Sequence, residues 1–473
     1  MSPAAPAPAS DAVALRERLD AAAALPVLLF FSTGVLWLLA GTFFGVATSL
    51  KFDLPDWLGG IPAMTFGRIR PAHLNAVTYG WASLAGAGCL VWLMSRLCRV
   101  PVRRPGWLVA SAILWNAGLV YGIGAILFGY SQAVEWLEFP LPAAAIIAAA
   151  FLLFAGSIIA TFRARQVEHL YVSLWYIMAA VIWFPILYTV ANLPIYSGVV
   201  HGAVNWWYGH NALATWFTPI GLALAYYMIP KVIGRPIYSY YLSLLGFWAF
   251  ALFYNWNGIH HLVGGPVPTW LQTISIIASV LMVIPVMAVA VNHHLTTIGH
   301  FRLLKTSPTL RFTVFGAMSY TAVSFQGSAE SLRDMQEVVH FTHYTIGHAH
   351  LGVYAFLTMI LFGSMYYITP RVARWNWPRP GAIRLHFWIT ASGILFYVLM
   401  LCTGGWLQGA AMNDAGRPFV DVVTLTRPWL TLRTVSGILL GAGHLLFAAL
   451  FFEVLYRSGP KRLEAPWEEE AAA

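Results

Sequence analysis

Apolar runs of about twenty residues recur along almost the whole chain, separated by short polar connections. That spacing predicts membrane-spanning helices rather than a water-soluble core. Twelve runs can be delimited, at 25–50, 71–95, 106–130, 140–163, 170–193, 204–229, 238–262, 267–291, 311–328, 341–369, 383–407 and 428–456. The connections alternate in character. Those after even-numbered runs, such as "RLCRVPVRRPG", "FRARQVEH" and "PRVARWNWPRPGAIR", and the tail beginning "YRSGPKR", are rich in Arg and Lys. Those after odd-numbered runs, such as "GYSQAVEWLEFP" and "QGSAESLRDMQEVV", are acidic or nearly neutral. Positive loops stay on the cytoplasmic side, so this parity places both termini there. The expected fold is an all-α membrane protein of twelve transmembrane helices. It forms one domain, 25–457, between cytoplasmic segments 1–24 and 458–473.

Composition agrees. The chain is 59% hydrophobic and 10% charged, where soluble domains carry about 25% charged residues, and its mean hydropathy is +0.68. The net charge of +9 is spread over alternate loops, which argues for membrane orientation and against nucleic-acid binding. The first apolar run has no cleavage-like site before it and is expected as a retained helix. Cys89, Cys98 and Cys402 suggest no disulfide framework, and no C-x-x-C-H is present to attach a haem covalently. No internal repeat of the transporter kind is visible.

The chemistry lies in the histidines. His73 opens the second run in "FGRIRPAHLNAV", and His210 lies early in the sixth, in "NWWYGHNALATW". His260 and His261 close the seventh in "FYNWNGIHHLVGG", and His348 and His350 open the tenth in "FTHYTIGHAHLG". With the topology above, all six fall in the outer half of the membrane at one depth. An isolated imidazole there is ordinarily bonded to a carbonyl, but six at one level need a common partner. His169, His201, His293, His294 and His300 fall in loops or at span ends and are expected to be solvated. His386 and His444 lie within later spans and carry no assignment.

Helical geometry separates the six. Residues two apart on a helix point about 200° apart, so His348 and His350 serve opposite sides of one helix and can each hold a separate haem. A haem with two axial histidines is a saturated electron carrier, whereas one protein ligand leaves an open face. His260 and His261, about 100° apart, can grip one ion with His210 as third ligand. Three imidazoles with an open position suit copper, iron or zinc. Tyr254, seven residues before His261, is expected on nearly the same helical face, two turns deeper, where a phenol can give a proton and an electron to a metal-bound oxidant.

These blocks, with "NWWYGHNALATWFTPIGLALAYYMIPK", "GRPIYSYYLSLLGFW" and "HFTHYTIGHAHLG", closely resemble the catalytic subunit of the C-family (cbb3-type) cytochrome c oxidases of the haem–copper superfamily. The resemblance covers essentially the whole chain. It implies His73 and His350 on a low-spin haem b, His348 on a high-spin haem b3, and His210, His260 and His261 on copper. Tyr254 would be the redox-active tyrosine, cross-linked to His210. The resemblance also implies Arg70, Trp206, Gln336 and His340 near the haem propionates, and Glu138 near a calcium site. Electrons would come from separate membrane-anchored cytochrome c subunits, in a bacterial inner (cytoplasmic) membrane. Two positions depart from the family pattern. Its "FEGP" glutamate is Gln326 here, in "FQGS", and its seventh-span histidine is Gly246.

Reduction of O2 to water, coupled to proton translocation, is the reading these residues serve best. Tyr240 and Ser243, 14 and 11 residues before Tyr254, fall within about 40° of its face and form a polar stripe from the cytoplasmic side, a candidate proton path. Nitric oxide reductases of the sister branch use non-haem iron and a glutamate four residues after the first histidine of that site. Ala214 stands there instead. A secondary transporter would place its polar groups near the membrane midplane on broken helices, not as histidines at one outer level.

Overall fold

The computed structural model describes residues 9–132 and 134–458, and every regular element among them is helical. All twelve expected spans are present. In chain order they are α1 Ala9–Leu50, α2 Phe66–Cys98, α3 Pro105–Phe128, α4 Leu141–Arg163, α5 Val172–Ala191, α6 Gly198–Ile233, α7 Tyr240–Phe253, α8 Thr269–Thr297, α9 Pro308–Glu330, α10 His343–Ala373, α11 Pro380–Met412 and α12 Phe419–Arg457. Ten of these are long and apolar enough to cross a membrane by composition alone. α7 falls short in length, with 14 residues, and α9 in hydropathy, because "GAMSYTAVSFQGSAE" is diluted with small and polar side chains. Both are packed into the bundle, α7 against α8 and α9 against α10.

Residues 9–24 continue α1 instead of forming a separate strand of chain. Leu19 and Ala23 are buried, and Asp20 accepts from Trp92 Nε1 (2.8 Å) and pairs with Arg96 (2.7 Å). Of the C-terminal segment 458–473, only Ser458 falls within the described residues.

Three helices form the inside. The most apolar stretches of α2, α6 and α10 are 94%, 89% and 83% buried, against 44–56% for the other seven spans that qualify by composition. Those seven keep a broad apolar face for lipid, as a helix must in a solvent without hydrogen-bond partners. The three inner helices are also the ones that widen to π geometry, at Ala76–Ala82, Leu213–Phe217 and Leu351–Thr358. Each widening begins within three residues of a histidine of the set, His73, His210 or His350. A π turn inserts a residue into the helical ladder and re-aims the side chains beside it, and such turns gather at functional sites.

The seventh span departs from expectation. It was read as one helix through His261, with Tyr254 and the histidine on a shared face. Instead α7 ends at Phe253, and a 3₁₀ turn covers Tyr254–Trp256. The chain then extends at Asn257, turns at Gly258 (φ +112°) and forms a second 3₁₀ turn, Ile259–Leu262. The helical-phase argument for Tyr254, His260 and His261 is therefore wrong. The cause is local. Gly258 presses against the Trp206–Trp207 backbone so closely that a Cβ there would lie 2.6 Å from the Trp206 carbonyl oxygen. Asn211 Nδ2 donates to the Asn257 and Asn255 carbonyls (3.3 and 3.4 Å), and Trp207 Nε1 to the Asn255 carbonyl (3.2 Å). α6 thus satisfies the backbone that the broken helix leaves open.

Candidate haem and metal sites

A cavity of about 420 Å³ runs into the bundle, and all six histidines of the set line it. On one side, His73 Nδ1 donates to the Gly41 carbonyl (2.7 Å) and His350 Nδ1 to the Ile346 carbonyl (2.8 Å). A carbonyl can only accept, so both rings carry their proton on Nδ1 and keep the Nε2 lone pair. The two rings are within 10° of parallel and 6.5 Å apart between centroids. A metal held between opposed Nε2 atoms by bonds of about 2 Å would space the centroids by roughly 6 Å. The pair therefore fits two axial ligands of one haem.

His348 makes different contacts. Its Nδ1 lies 3.3 Å from Gln326 Oε1 and 3.9 Å from Glu330 Oε1, both on α9. The two histidines of α10 thus serve different neighbours, as their spacing predicts. No second protein imidazole is paired with His348 among the described residues, so a haem held there keeps one face open.

Across the cavity, His210, His260 and His261 each offer a ring nitrogen within 4.8 Å of the others, the one such donor cluster among the described residues. His260 is tied to α8. Its Nδ1 lies 3.2 Å from Ser275 Oγ and 3.0 Å from Ser279 Oγ, and its backbone N–H donates to Ser275 Oγ. Trp206 covers His261, with ring centroids 4.5 Å apart. His210 Nδ1 is buried without a partner. Three nitrogens and no carboxylate are a donor set for copper or zinc more than for non-haem iron. Tyr254 reaches this cluster despite the broken helix, its ring meeting His210 edge-on at 5.2 Å.

The fold agrees with the comparisons to known proteins. The family model for cytochrome c and quinol oxidase polypeptide I matches residues 26–439. The chain belongs to this family of haem–copper oxidase catalytic subunits. Among curated relatives, the chain is 30% identical over 450 residues to the cbb3-type cytochrome c oxidase subunit CcoN1 of Stutzerimonas stutzeri, covering 91% of this chain and 94% of that one. It is 29% identical to a cytochrome c oxidase subunit 1 homologue of Agrobacterium tumefaciens, over 88% of this chain and 80% of the relative. A solved haem–copper terminal oxidase dimer shares the fold, with a TM-score of 0.75 at 15% identity, over 94% of this chain and 85% of that one.

The remaining expected residues of this oxidase subunit are distributed as follows. Arg70, Trp206 and Gln336 line the cavity, Arg70 paired with Glu135 at 2.6 Å. His340 is off the cavity wall and sits against the His261 and Val263 backbone. Glu138 is buried and accepts from Asn75 Nδ2 at 2.9 Å. The Tyr240 hydroxyl donates to the Leu170 carbonyl (2.7 Å) at the rim. Ser243 is fully buried and receives Asn292 Nδ2 (3.1 Å), which also lies 3.4 Å from the Tyr226 hydroxyl. The stripe thus leaves α7 for α8 and α6 after Ser243. Gly246 faces Val289 and Ala288.

Several residues were missed or misplaced. His293, expected to be solvated, is 1% exposed and packs edge-on against Tyr226 at 4.5 Å. α8 continues to Thr297 and keeps it inside the bundle. Glu330, expected in an outer loop, is the last residue of α9 and is buried. Arg433 is buried on the cavity wall, over the Phe52 ring, with Nε and Nη2 unpartnered, a fit for an anionic haem edge. His444, unassigned from sequence, bonds Thr42 Oγ1 (2.7 Å) and the Tyr354 hydroxyl (2.6 Å), and His386 bonds the Tyr366 hydroxyl (2.9 Å). A polar residue in a late span was the only signal for these, and spacing alone cannot say which face it takes.

Proposed function

We propose that this subunit is the catalytic core of a terminal respiratory oxidase, reducing O2 to water with electrons from cytochrome c and coupling this to proton translocation. The observation that carries the reading is the three-imidazole cluster with Tyr254 against His210 and Ala214 buried where an iron-type site would need a carboxylate. His73 and His350 hold the low-spin haem b, His348 the high-spin haem b3, and His210, His260 and His261 the copper. When bound, these groups supply the electrons and the open position at which O2 is reduced.

The chain's own residues do the rest. His348 would hold the high-spin haem with a single protein imidazole, and Trp206 over His261 keeps water from that ring. Tyr254 holds a proton at its phenolic oxygen beside His210, ready to be given up at the O–O bond. A covalent Tyr254–His210 link is part of this reading: the phenol ring loses a C–H and the imidazole an N–H, and the O2 of the proposed reaction takes up the two electrons and two protons; the two rings stand 5.2 Å apart between centroids. Tyr240, Ser243, Asn292 and Tyr226 form the inner part of the proton supply. Arg70, Trp206, Gln336 and Arg433 bind haem propionates, with His340 steadying the loop that carries His261. Glu138 provides a buried carboxylate for calcium. The arginine-rich loops support a bacterial inner membrane with both termini cytoplasmic, and the missing C-x-x-C-H supports separate membrane-anchored cytochrome c subunits as donors.

The test compares O2 and nitric oxide turnover in wild type and Tyr254→Phe, with copper, iron and haem measured in both. Tyr254→Phe should nearly abolish O2 reduction with both haems and copper retained, because the phenol is not a ligand. One non-haem iron per chain in place of copper, with nitric oxide the faster substrate and Tyr254→Phe harmless, would overturn the oxidase reading.

A further inference from the structure

His386 and His444 are buried imidazoles of the late spans with no part in the proposed haem and copper sites, and of the two only His444 lines the cavity. It stands on α12 and reaches two other spans. Thr42 Oγ1 of α1 donates to the Leu38 carbonyl (2.6 Å), which uses its one proton, so at 2.7 Å it accepts from His444 Nδ1–H. That tautomer leaves His444 Nε2 as an acceptor, and the Tyr354 hydroxyl of α10 donates to it at 2.6 Å. Both ring nitrogens are thus satisfied, with donor and acceptor roles fixed from end to end.

The two ends of this link lie beside the candidate axial pair. Thr42 directly follows Gly41, whose carbonyl takes the His73 Nδ1–H, and Tyr354 lies four residues beyond His350 on α10. α1 also presses on the His73 ring, since a Cβ at Gly45 would stand 2.7 Å from its Nδ1 and Cε1. A shift of α1 against α10 would therefore turn His73. His350, bonded to the Ile346 carbonyl of its own helix, would stay with α10. The two rings are within 10° of parallel. Nothing within either helix fixes that angle; it depends on how α1 and α10 are held to each other.

We propose that His444 is a positioning residue of the low-spin haem: by joining Thr42 to Tyr354 it locks α1 to α10 and keeps the His73 and His350 planes parallel. This rests on those two histidines being the axial pair. The group that accepts the free N–H of a metal-bound histidine orients its ring. Here that accepting carbonyl is itself held, one residue along, by a histidine of a third span. Ser49 Oγ and Thr434 Oγ1 (2.6 Å) join α1 to α12 independently, so the bundle keeps a tie when His444 is replaced.

The angle between two axial imidazoles sets the splitting of the iron d orbitals, so the ferric EPR spectrum reports it. Parallel planes give a rhombic signal, and twisting them apart raises the largest g value. The experiment reads this signal in the intact, oxidised complex, with haem content from the pyridine haemochrome. His444→Leu should raise the largest g value with the low-spin haem still bound. Tyr354→Phe and Thr42→Val, each cutting one end of the link, should shift it in the same direction, and together they should add nothing beyond His444→Leu. His444→Gln, which offers a donor and an acceptor at a spacing close to that of the ring nitrogens, should return the signal toward wild type. His386→Leu is the control, because it deletes a buried imidazole–tyrosine bond (2.9 Å to Tyr366) away from the cavity and should leave the g values unchanged. Wild-type g values in His444→Leu and Tyr354→Phe would overturn the proposal, as would equal shifts in His386→Leu, the mark of general loosening. If His444→Leu does not assemble, the two end variants decide. A wrong ligand pair shows separately, because His73→Ala would then keep the low-spin signal.

Discussion

Gly258→Ala isolates a backbone feature on which the proposed copper site depends. Gly258 has φ +112° and ψ −41°, a conformation that L side chains avoid. Holding one there costs about 1–3 kcal/mol. The added methyl would also lie 2.6 Å from the Trp206 carbonyl oxygen and 3.0 Å from the Trp207 Cα. Both are backbone atoms of the buried helix α6, so neither can yield as a side chain would, and overpacking of this kind costs about 1–3 kcal/mol more. The total is about 2–6 kcal/mol against the closed loop, or roughly 30-fold to 20,000-fold in its equilibrium with a lifted one. A lifted loop carries His260 and His261 away from His210. The assay is elemental copper and pyridine haemochrome on the purified complex, with O2 turnover. Copper and turnover should fall together while both haems stay. Gly264→Ala is the control, because φ there is +83° but no atom lies within 4 Å of the new methyl. It should lose far less copper. If Gly258→Ala keeps full copper and wild-type turnover, the reasoning about this turn is refuted.

Three further outcomes are expected. His73→Ala should remove the low-spin haem spectrum and leave the high-spin signal, and His348→Ala should do the reverse; loss of one common component in both would mean that the two histidines share a haem. Replacing Ser275 and Ser279 together by Ala leaves His260 Nδ1 without its partners and should weaken copper binding about 10- to 100-fold, read by competition with a chelator. Burial pushes the Glu138 carboxyl from 4.5 up to about 7, so the folded state holds the proton more tightly than the unfolded one and stability falls as pH rises through that window, by about 3 kcal/mol in all. Calcium-stripped protein should therefore lose thermal stability between about pH 4.5 and 7, calcium should restore it, and Glu138→Gln should show neither effect; a wild-type melting temperature that ignores both pH and calcium would remove the calcium assignment.

Much of this chain could be read without coordinates, for physical reasons. Twelve spans follow from a solvent that forbids unpaired backbone, and loop charge follows from orientation in the membrane. The depth of the six histidines follows from counting residues along those spans, and the opposed aim of His348 and His350 from helical pitch alone. Each of these depends on short-range order in the sequence. The tertiary structure decided the rest. α7 breaks after Phe253 because α6 offers Asn211 and Trp207 to the freed carbonyls, a partner some 45 residues away in the chain. The π turns on α2, α6 and α10 re-aim side chains by amounts that a regular period of 3.6 cannot anticipate. His293 and Glu330 looked like loop residues because the helices were expected to stop too soon, and only packing against neighbouring spans shows that α8 and α9 carry them inside. The sequence told which runs cross the membrane and which polar groups they carry. Which of them meet across it depended on contacts between helices far apart in the chain, and a one-dimensional pattern contains no such distances.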